Sequence, residues 1–328
     1  MAQVASELEL SSPLKVDVLR ALEPVVAELT EQHLASRKLW LPNELTKADR
    51  SNSEADEALL QQFRDAARGL PESVLVAVAL NLLTEEGLPH FHRLIATHMG
   101  NESAWGQWNS IWTAEEDRHG CALRDYVRDA RLFEMGALEK MQYQYIESGF
   151  NPKWDNDPYR LLAYTSLQEK ATQIAHANTG RAAAAYEPQL QRVLAHLAGD
   201  ESRHYRFYRA VFAEVLEHDP NQALESLLKV MPALAMPGHS IDGYDEMADV
   251  VRRADIYGPL HYRNIVKELL EFWGIAALEG LSAVGAAAQE KLMLIPARLE
   301  RMANYLESRS KGQRRFEFGF LTAQSVTI

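Results

Sequence analysis

One short pattern occurs twice in the chain and constrains its fold more than any other feature. Residues 115–119 read Glu-Glu-Asp-Arg-His and residues 200–204 read Asp-Glu-Ser-Arg-His, so each segment has the form acid-Glu-x-Arg-His. A glutamate and a histidine three positions apart lie on one face of an α-helix, where both can bind the same metal ion. Two Glu-x-x-His pairs alone would indicate little in a glutamate-rich chain, and the shared flanking acid and arginine make the repeat more specific.

A further glutamate precedes each copy by almost the same distance. Glu85 lies 31 positions before Glu116, and Glu169 lies 32 positions before Glu201. Each half therefore repeats a helix with Glu, a turn, and a helix with Glu-x-x-His, which is the ligand pattern of ferritin-like di-iron and di-manganese proteins. Four carboxylates and two imidazoles suit iron or manganese better than a metal that prefers thiolates. The alternative, a set of exposed Glu/Arg pairs along helices, does not require the two spacings to agree.

The composition predicts an almost entirely helical chain. Alanine, leucine, glutamate and arginine dominate, and alternating runs rich in Val, Ile and Thr are scarce. The fold class that we predict is all-α, a ferritin-like four-helix bundle with additional N- and C-terminal helices. No Ser/Gly-rich or Pro-rich linker sets the last third apart, so we predict one domain over residues 1–328, with a bundle core at about 72–217 and a helical part at about 218–328 packed on it. The predicted bundle helices are 72–98, 103–131, 158–184 and 188–217.

The helix that carries Glu85 is expected to be irregular. Pro89 lies four residues after Glu85, so the carbonyl of Glu85 loses its usual helical partner and the helix should kink there. The alternative is that Gly87 and Pro89 end the helix.

Charge and hydropathy exclude several classes of function. The formal net charge of -12 disfavours binding to nucleic acid or to an anionic membrane surface. The longest strongly apolar run, residues 74–83, is about half of the ~20 residues that a membrane span needs. The single cysteine, Cys121, cannot form an internal disulfide and is expected to be a small buried side chain in a reducing compartment. The N-terminus has no basic, apolar leader pattern, so we expect a cytoplasmic protein.

The segments around the four glutamates resemble the signature segments of the soluble acyl carrier protein (ACP) desaturases. These segments are residues 83–89, 112–120, 164–172 and 200–204, and the resemblance extends from about Trp40 to the Phe-rich stretch around Phe316 and Phe320. The resemblance implies two iron ions per chain, with Glu116 and Glu201 as the bridging ligands. The six implied ligands are Glu85, Glu116, His119, Glu169, Glu201 and His204.

The same resemblance implies roles for neighbouring residues. Thr172 resembles a hydroxyl residue near the oxygen-binding side of the centre, although it could equally be a helical threonine bonded to its own backbone. Asp200 resembles an acid that orients a ligand histidine and helps to conduct electrons from the surface, with Trp40 at the far end of that route. Glu115 occupies the place of Asp200 in the first half. For Trp40 the alternative is a plain core aromatic.

The implied reaction places a cis double bond in a fatty acyl chain carried by ACP, using O2 and two electrons from a ferredoxin-like donor. A homodimer is also expected from the resemblance. ACP is acidic and needs a basic landing surface. The candidates are Arg298, Arg301, Arg309, Lys311, Arg314 and Arg315, and the alternative is a solvated basic tail without a partner.

One departure from the family pattern and three rival functions stay open. His90, His92 and His98 follow the first ligand, where the family carries apolar or small residues toward the acyl channel.

A ribonucleotide reductase radical subunit is disfavoured, because its first ligand is commonly Asp and its halves are separated by more than the 50 residues from His119 to Glu169. A ferritin-like iron store would be much shorter. A non-catalytic protein that binds acyl-ACP is the remaining alternative.

Overall fold

Helices make up nearly all of the chain that the structure describes. The computed structural model describes residues 14–45, 54–150, 157–232, 237–310, 312–322 and 325–328. The helices before and within the bundle are α1 (Lys15–Ala21), α2 (Glu23–Ser36), α3 (Pro42–Leu45), α4 (Glu54–Arg68), α5 (Glu72–Glu85), α6 (Leu88–Met99), α7 (Ala104–Ala130), α8 (Met135–Ser148), α9 (Pro158–Ala183) and α10 (Pro188–His218). The later helices are α11 (Pro220–Val230), α12 (Tyr244–Arg253), α13 (Pro259–Phe272), α14 (Ala283–Met293) and α15 (Ile295–Arg309).

Four of the predicted helical stretches form the bundle. The stretch α5–α6 packs against α7 and α9, α7 also packs against α10, and α9 and α10 pack along each other. The predicted all-α, ferritin-like bundle is therefore confirmed. The outer limits of the four predicted helices agree with the observed ones to within about two residues, although the predicted helix 72–98 is divided into α5 and α6. The loops predicted at 41–53, 149–158 and 231–244 lie partly outside the described residues.

Acidic side chains fix the starts of the two helices of the second half. At α9, the Asp157 carboxylate accepts hydrogen bonds from the backbone N–H groups of Tyr159 and Arg160. At α10, the Glu187 carboxylate accepts from the N–H groups of Gln189 and Leu190. Each helix also has proline at its first position, where the missing N–H costs no hydrogen bond. The two ligand-bearing helices of this half therefore begin at defined positions.

The helix after Glu85 is interrupted and not merely kinked. α5 ends at Glu85, a turn covers the next two residues, and α6 begins at Leu88 with Pro89 in its first turn. The predicted kink is therefore wrong, and the alternative, in which Gly87 and Pro89 end the helix, is correct. A second helix follows at once. The buried Tyr145 hydroxyl lies so near Gly87 that a Cβ there would be 2.5 Å from the oxygen. This close approach explains why glycine occupies the turn.

The same stretch is apolar enough to raise the question of a membrane span. Residues 72–99 are long and apolar enough to span a membrane, but 67% of their most apolar window is buried inside the protein. Val74, Val76, Val78 and Leu83 are at most 1% exposed. These four residues therefore belong to the core of the bundle.

The C-terminal third covers the bundle with helices and two short strands. α11 and α13 pack on α9, and α15 packs on α13. β1 (Arg315–Glu317) and β2 (Ser325–Thr327) pair in antiparallel register, with Phe316 opposite Val326. Leu321 forms an isolated bridge with Phe133 at the end of α7. The Phe-rich stretch thereby packs against the first half of the chain.

Cys121 is exposed, so the prediction that it is buried is wrong. It lies two residues after His119, and two residues rotate a helix by about 200°. Because His119 points into the bundle, Cys121 must point out, beside Asp117.

The turn at Gly87 gives a stability prediction. Gly87→Ala should reduce the free energy of unfolding by about 1–3 kcal/mol, because the new methyl group would meet the Tyr145 hydroxyl and the Thr84 carbonyl oxygen. Urea unfolding followed by circular dichroism measures the loss. Gly136→Ala is the control: this exposed helical glycine has nothing within 4 Å of a Cβ, so the change should stabilise by about 0.5–1 kcal/mol. Equal effects of the two substitutions would contradict the close-approach explanation.

Candidate metal centre

The six residues predicted as ligands meet inside the bundle. Each is less than 9% exposed. α5 supplies Glu85, α7 supplies Glu116 and His119, α9 supplies Glu169, and α10 supplies Glu201 and His204.

These residues form two overlapping groups. In each group, one ligand atom from each residue lies within 4.8 Å of the others. One group is Glu85, Glu116, His119 and Glu201, and the other is Glu116, Glu169, Glu201 and His204. Glu116 and Glu201 belong to both groups and are the two glutamates predicted to bridge. The arrangement is that of two adjacent metal sites with two shared carboxylates.

The Nδ1 atoms of both histidines face this cluster. His119 Nδ1 lies 3.5 Å from Glu85 Oε2 and 3.5 Å from Glu201 Oε1. His204 Nδ1 lies 2.9 Å from Glu116 Oε1 and 3.5 Å from Glu169 Oε2. Within the described residues, neither Nδ1 atom has a hydrogen-bond partner of acceptable geometry.

Two carboxylate oxygens in the cluster, Glu116 Oε1 and Glu201 Oε2, are also buried without a hydrogen-bond partner in the described chain. Buried polar atoms without partners are rare and costly. Here the atoms converge, and they are the carboxylate and imidazole donors that bind iron. The residues therefore fit two metal ions and are compatible with a di-iron centre.

The other nitrogen of each histidine is held by an acid from the opposite motif. His119 Nε2 donates to Asp200 Oδ2 at 3.2 Å, and His204 Nε2 donates to Glu115 Oε2 at 2.9 Å. A proton fixed on Nε2 leaves the Nδ1 lone pair available for a metal. The repeated acid of the two motifs thus has a physical reason: each acid orients the histidine of the other half.

The two motif arginines pair with Asp200. Arg118 donates to Asp200 Oδ2 at 3.2 Å and to the Trp40 carbonyl at 2.9 Å. Arg203 donates to the other oxygen of Asp200. Both motif arginines therefore form ion pairs in the structure and do not point into the cluster.

Trp40 is connected to the centre through Asp200. Its indole Nε1 donates to Asp200 Oδ2 at 2.9 Å, and its ring is parallel to the His119 ring at 6.2 Å between centroids. Trp40 itself is 3% exposed, whereas its neighbours Leu39 and Leu41 are 64% and 48% exposed. A hydrogen-bonded chain thus runs from a surface segment through Trp40 and Asp200 to His119.

Thr172 is bonded to the backbone of its own helix, and its predicted role near bound oxygen stays a prediction. Its hydroxyl donates to the carbonyls of Gln168 and Glu169 at 3.1 Å, as a helical threonine does. It also lines a cavity of about 30 Å³ beside the cluster, together with Phe91 and Trp112. This volume suffices for water-sized molecules and not for an acyl chain.

The three histidines that depart from the family pattern lie away from this cavity. His92 is exposed and bonds to Thr113, while His98 donates to the Leu94 carbonyl of its own helix. His90 contacts the carbonyl of Tyr145. Of the residues described, these three histidines are not among those that line the cavity.

Sequence reasoning missed three residues that contact the ligands or their supporting acids. His176 Nε2 lies 2.8 Å from Glu85 Oε1 and the side chain is 1% exposed. Trp112 Nε1 donates to Glu169 Oε1 at 3.1 Å, and His33 Nε2 lies 3.0 Å from Glu115 Oε2. The signal for His176 was available, because residues 169, 172 and 176 share one helix face. His33 lies outside the bundle helices and carried no such signal.

Burial and mutual repulsion dominate the electrostatics of the cluster. Burial raises the pKa of Glu169 well above its usual range, and the charge of Glu201 raises it further. Burial also opposes the ionisation of Glu201, but the nearby His119 and His204 rings outweigh it and hold the pKa of Glu201 well below its usual range. Burial lowers the pKa of His119, and Glu116 and Asp200 reverse this, so that it rises well above the usual value. The four carboxylates need positive charge, which protons or divalent cations supply.

Comparisons with known proteins show the family of the chain. The model of the fatty acid desaturase family matches residues 14–322. The chain is 34% identical over 294 residues to a Mycobacterium tuberculosis protein named as acyl-ACP desaturase DesA1, covering 87% of this chain and 86% of that protein. It is 30% identical over 332 residues to the seed-specific chloroplastic stearoyl-ACP 9-desaturase of Brassica napus, covering 96% and 83%.

A solved structure shares the fold. The X-ray structure of the acyl-ACP desaturase DesA2 from Mycobacterium tuberculosis superposes with a TM-score of 0.56 at 20% identity, covering 80% of this chain and 96% of that one. The match to the family model and the identity over most of both relatives settle the classification. The chain belongs to the fatty acid desaturase family, in the group whose named members are acyl-ACP desaturases.

Proposed function

We propose that the protein is an acyl-ACP desaturase that introduces a cis double bond into an ACP-bound fatty acyl chain. In this reaction a CH2–CH2 unit, O2, two electrons and two protons give CH=CH and two waters. The observation that carries the proposal is the convergence of four buried carboxylates and two unpartnered Nδ1 atoms between two matching halves. Two iron ions held there would supply an oxidant able to remove hydrogen from an unactivated carbon.

The residues of the chain then have separate tasks. Glu85, Glu116, Glu169 and Glu201, with the two histidines, would bind the metals. Asp200 and Glu115 hold the histidine rings through Nε2. His176 and Trp112 restrain Glu85 and Glu169, the glutamates that belong to one group each. These contacts limit the freedom of the carboxylates before any metal binds.

The electron donor is proposed to be a small ferredoxin-like protein that docks near Trp40. The chain from Trp40 through Asp200 to His119 supports a route by which each electron crosses the protein. The exposed Leu39 and Leu41 on either side of Trp40 offer apolar contact area for such a partner.

ACP is proposed to dock on the basic side of α15. Arg298, Arg301 and Arg309 are exposed there. Arg314 lies 3.1 Å from Asp249, and Arg315 lies 4.0 Å from Glu317, so both have acidic partners within the chain. Lys311 lies outside the described residues. We further propose that the enzyme is a homodimer and works in the cytosol, where a reduced ferredoxin and acyl-ACP would meet.

Loss of one shared ligand should abolish the centre. Purified wild type is expected to hold about two irons per chain with near-ultraviolet absorption of an oxo-bridged ferric pair, and Glu201→Ala should lose both, because Glu201 belongs to both groups. Elemental analysis and the optical spectrum measure this. Ser202→Ala, the next residue along α10, is the control and should keep its iron. A folded wild type that stays metal-free after anaerobic Fe(II) reconstitution would contradict the proposal and favour a non-catalytic acyl-ACP-binding protein.

Trp40→Phe should slow reduction without changing metal content. Phenylalanine keeps an aromatic ring beside His119 but removes the N–H that donates to Asp200. We expect reduction of the ferric protein by reduced ferredoxin to slow by about 10–100-fold. Stopped-flow bleaching of the ferric absorption measures the rate. Trp105→Phe is the control, because the buried Trp105 donates to the Leu19 carbonyl and not to an acid of the centre. If the two variants are slowed equally, Trp40 has no special part in the route.

Phe91 should decide which acyl chains fit. It is 5% exposed, lines the cavity beside the cluster, and packs against Phe150 and Tyr164 at centroid distances of 5.5 and 6.2 Å. Because the cavity is too small for an acyl chain, part of its lining must move when substrate enters, and we propose that the Phe91 ring is that part. Phe91→Leu should therefore broaden the range of accepted chain lengths.

Mass spectrometry of products from saturated acyl-ACP substrates of several lengths tests this expectation. Phe212→Leu is the matched control, since Phe212 is buried against Trp273 in another part of the core. An unchanged product profile for Phe91→Leu, or an equal change in both variants, would rule out a gating role for Phe91.

A further inference from the structure

His33 lies outside the bundle, yet its ring reaches the acid that orients His204. His33 Nε2 is 3.0 Å from Glu115 Oε2, the same oxygen that accepts from His204 Nε2 at 2.9 Å. His33 is 5% exposed and Glu115 is 2% exposed. A carboxylate oxygen between two nitrogens accepts from both, so His33 carries its proton on Nε2.

The His33 ring also packs directly on this side of the centre. It stacks on the His204 ring at 5.7 Å between centroids and meets the edge of Trp108 at 5.1 Å. Its position is therefore fixed by two aromatic contacts as well as by the hydrogen bond.

Arg37 completes the same contact from the end of α2. Its guanidinium donates to Glu115 Oε1 at 3.1 Å. The two oxygens of Glu115 are thus bound from residues 33 and 37, one helical turn apart. Glu115 depends on this segment for two of its hydrogen bonds.

The acid of the other half is bound from the same segment. Trp40 donates to Asp200 Oδ2, as His33 does to Glu115 Oε2. Residues 33–40 therefore reach both acids that hold the ligand histidines. α2 itself packs on α7 and α10, the two helices that carry the Glu-x-x-His motifs.

We propose that residues 33–40 form a latch whose docking is coupled to metal binding, with His33 as a positioning residue that holds His204 through Glu115. The inference rests on the proposed metal centre. In the docked state, His33 and Arg37 hold the two oxygens of Glu115 in place, so His204 presents Nδ1 to the cluster. When the segment leaves the bundle, Glu115 loses these donors and His204 loses its restraint.

Thermodynamic linkage makes this coupling reciprocal. If docking of the segment strengthens metal binding by some factor, metal binding must strengthen docking by the same factor. Partners that orient a metal-binding histidine typically change metal affinity by about 10–100-fold. Metal should therefore reduce the population of the opened state of α2 by about the same factor, which hydrogen exchange can measure.

The first test measures metal affinity in three variants. Anaerobic Co(II) titration of the metal-free wild type should give two bound ions. In His33→Ala, Co(II) should bind about 10–100-fold more weakly at the subsite of His204, and the visible Co(II) spectrum should change. His33→Gln should restore most of the affinity, because its amide N–H can replace Nε2. Thr30→Val is the control: this buried residue of α2 bonds only to its own helix through its hydroxyl, so its loss disturbs packing without reaching Glu115.

The second test measures the latch itself. Amides of residues 23–40 should exchange about 10–100-fold more slowly with Co(II) bound than without it in wild type, and this slowing should shrink in His33→Ala. Equal Co(II) affinity in His33→Ala and Thr30→Val would contradict the latch proposal. Hydrogen exchange in residues 23–40 that does not respond to metal would contradict it as well. If His33→Ala fails to fold, wild-type exchange and His33→Gln decide the question.

These outcomes separate the latch from the proposed function. A wild type that binds two metals and desaturates acyl-ACP, but shows no coupling to residues 23–40, removes the latch alone. A wild type that binds no metal at all removes both.

Discussion

The burial of four carboxylates and two imidazoles at the centre of a helical bundle is the constraint on which the rest of the structure depends. Charged groups taken out of water are strongly disfavoured unless other charges and hydrogen bonds compensate them. The chain gives four of these six groups a hydrogen-bond partner from another helix: His176 for Glu85, Trp112 for Glu169, and Asp200 and Glu115 for the two histidines. Helix packing here positions ligands as much as it buries apolar area.

The exchange of acids between the motifs ties the two halves together. Glu115 on α7 holds the histidine of α10, and Asp200 on α10 holds the histidine of α7. Neither half can orient its histidine alone. This mutual dependence explains why the acid before the ligand glutamate recurs along with the ligands, and why the arginines beside them bind the acids and leave the metal side free.

Much of the bundle could be predicted from the sequence, because its signals are local. Spacing within a helix shows that Glu116 and His119 share a face, and two matching distances place Glu85 and Glu169 in the preceding helices. The contacts between helices could not be predicted in this way. Nothing in the spacing tells which histidine Glu115 binds, or that His33 reaches it from 82 residues away.

Two local features were nevertheless misjudged from the sequence. At the break, the Tyr145 hydroxyl from a different helix leaves no room for a Cβ at position 87, and the sequence does not show this contact. The exposure of Cys121, by contrast, followed from helical rotation relative to His119 and needed no tertiary information. The roles assigned to Trp40, Asp200 and Thr172 stay predictions, since position alone does not measure electron transfer or oxygen binding.

The centre has two chemically different sides. On one side, residues 33–40 bind Glu115 and Asp200 through N–H donors, and this polar side leads to the surface. On the other side, the cavity is lined by carboxylates together with Leu88, Phe91 and Trp112. None of the described residues of the latch lines that cavity. Under the proposed function, electrons would enter on the side of residues 33–40 and the acyl chain would enter on the side of the cavity. A reactive centre that must attack an unactivated carbon benefits from this separation, because water and reductant on the substrate side would compete with the chain.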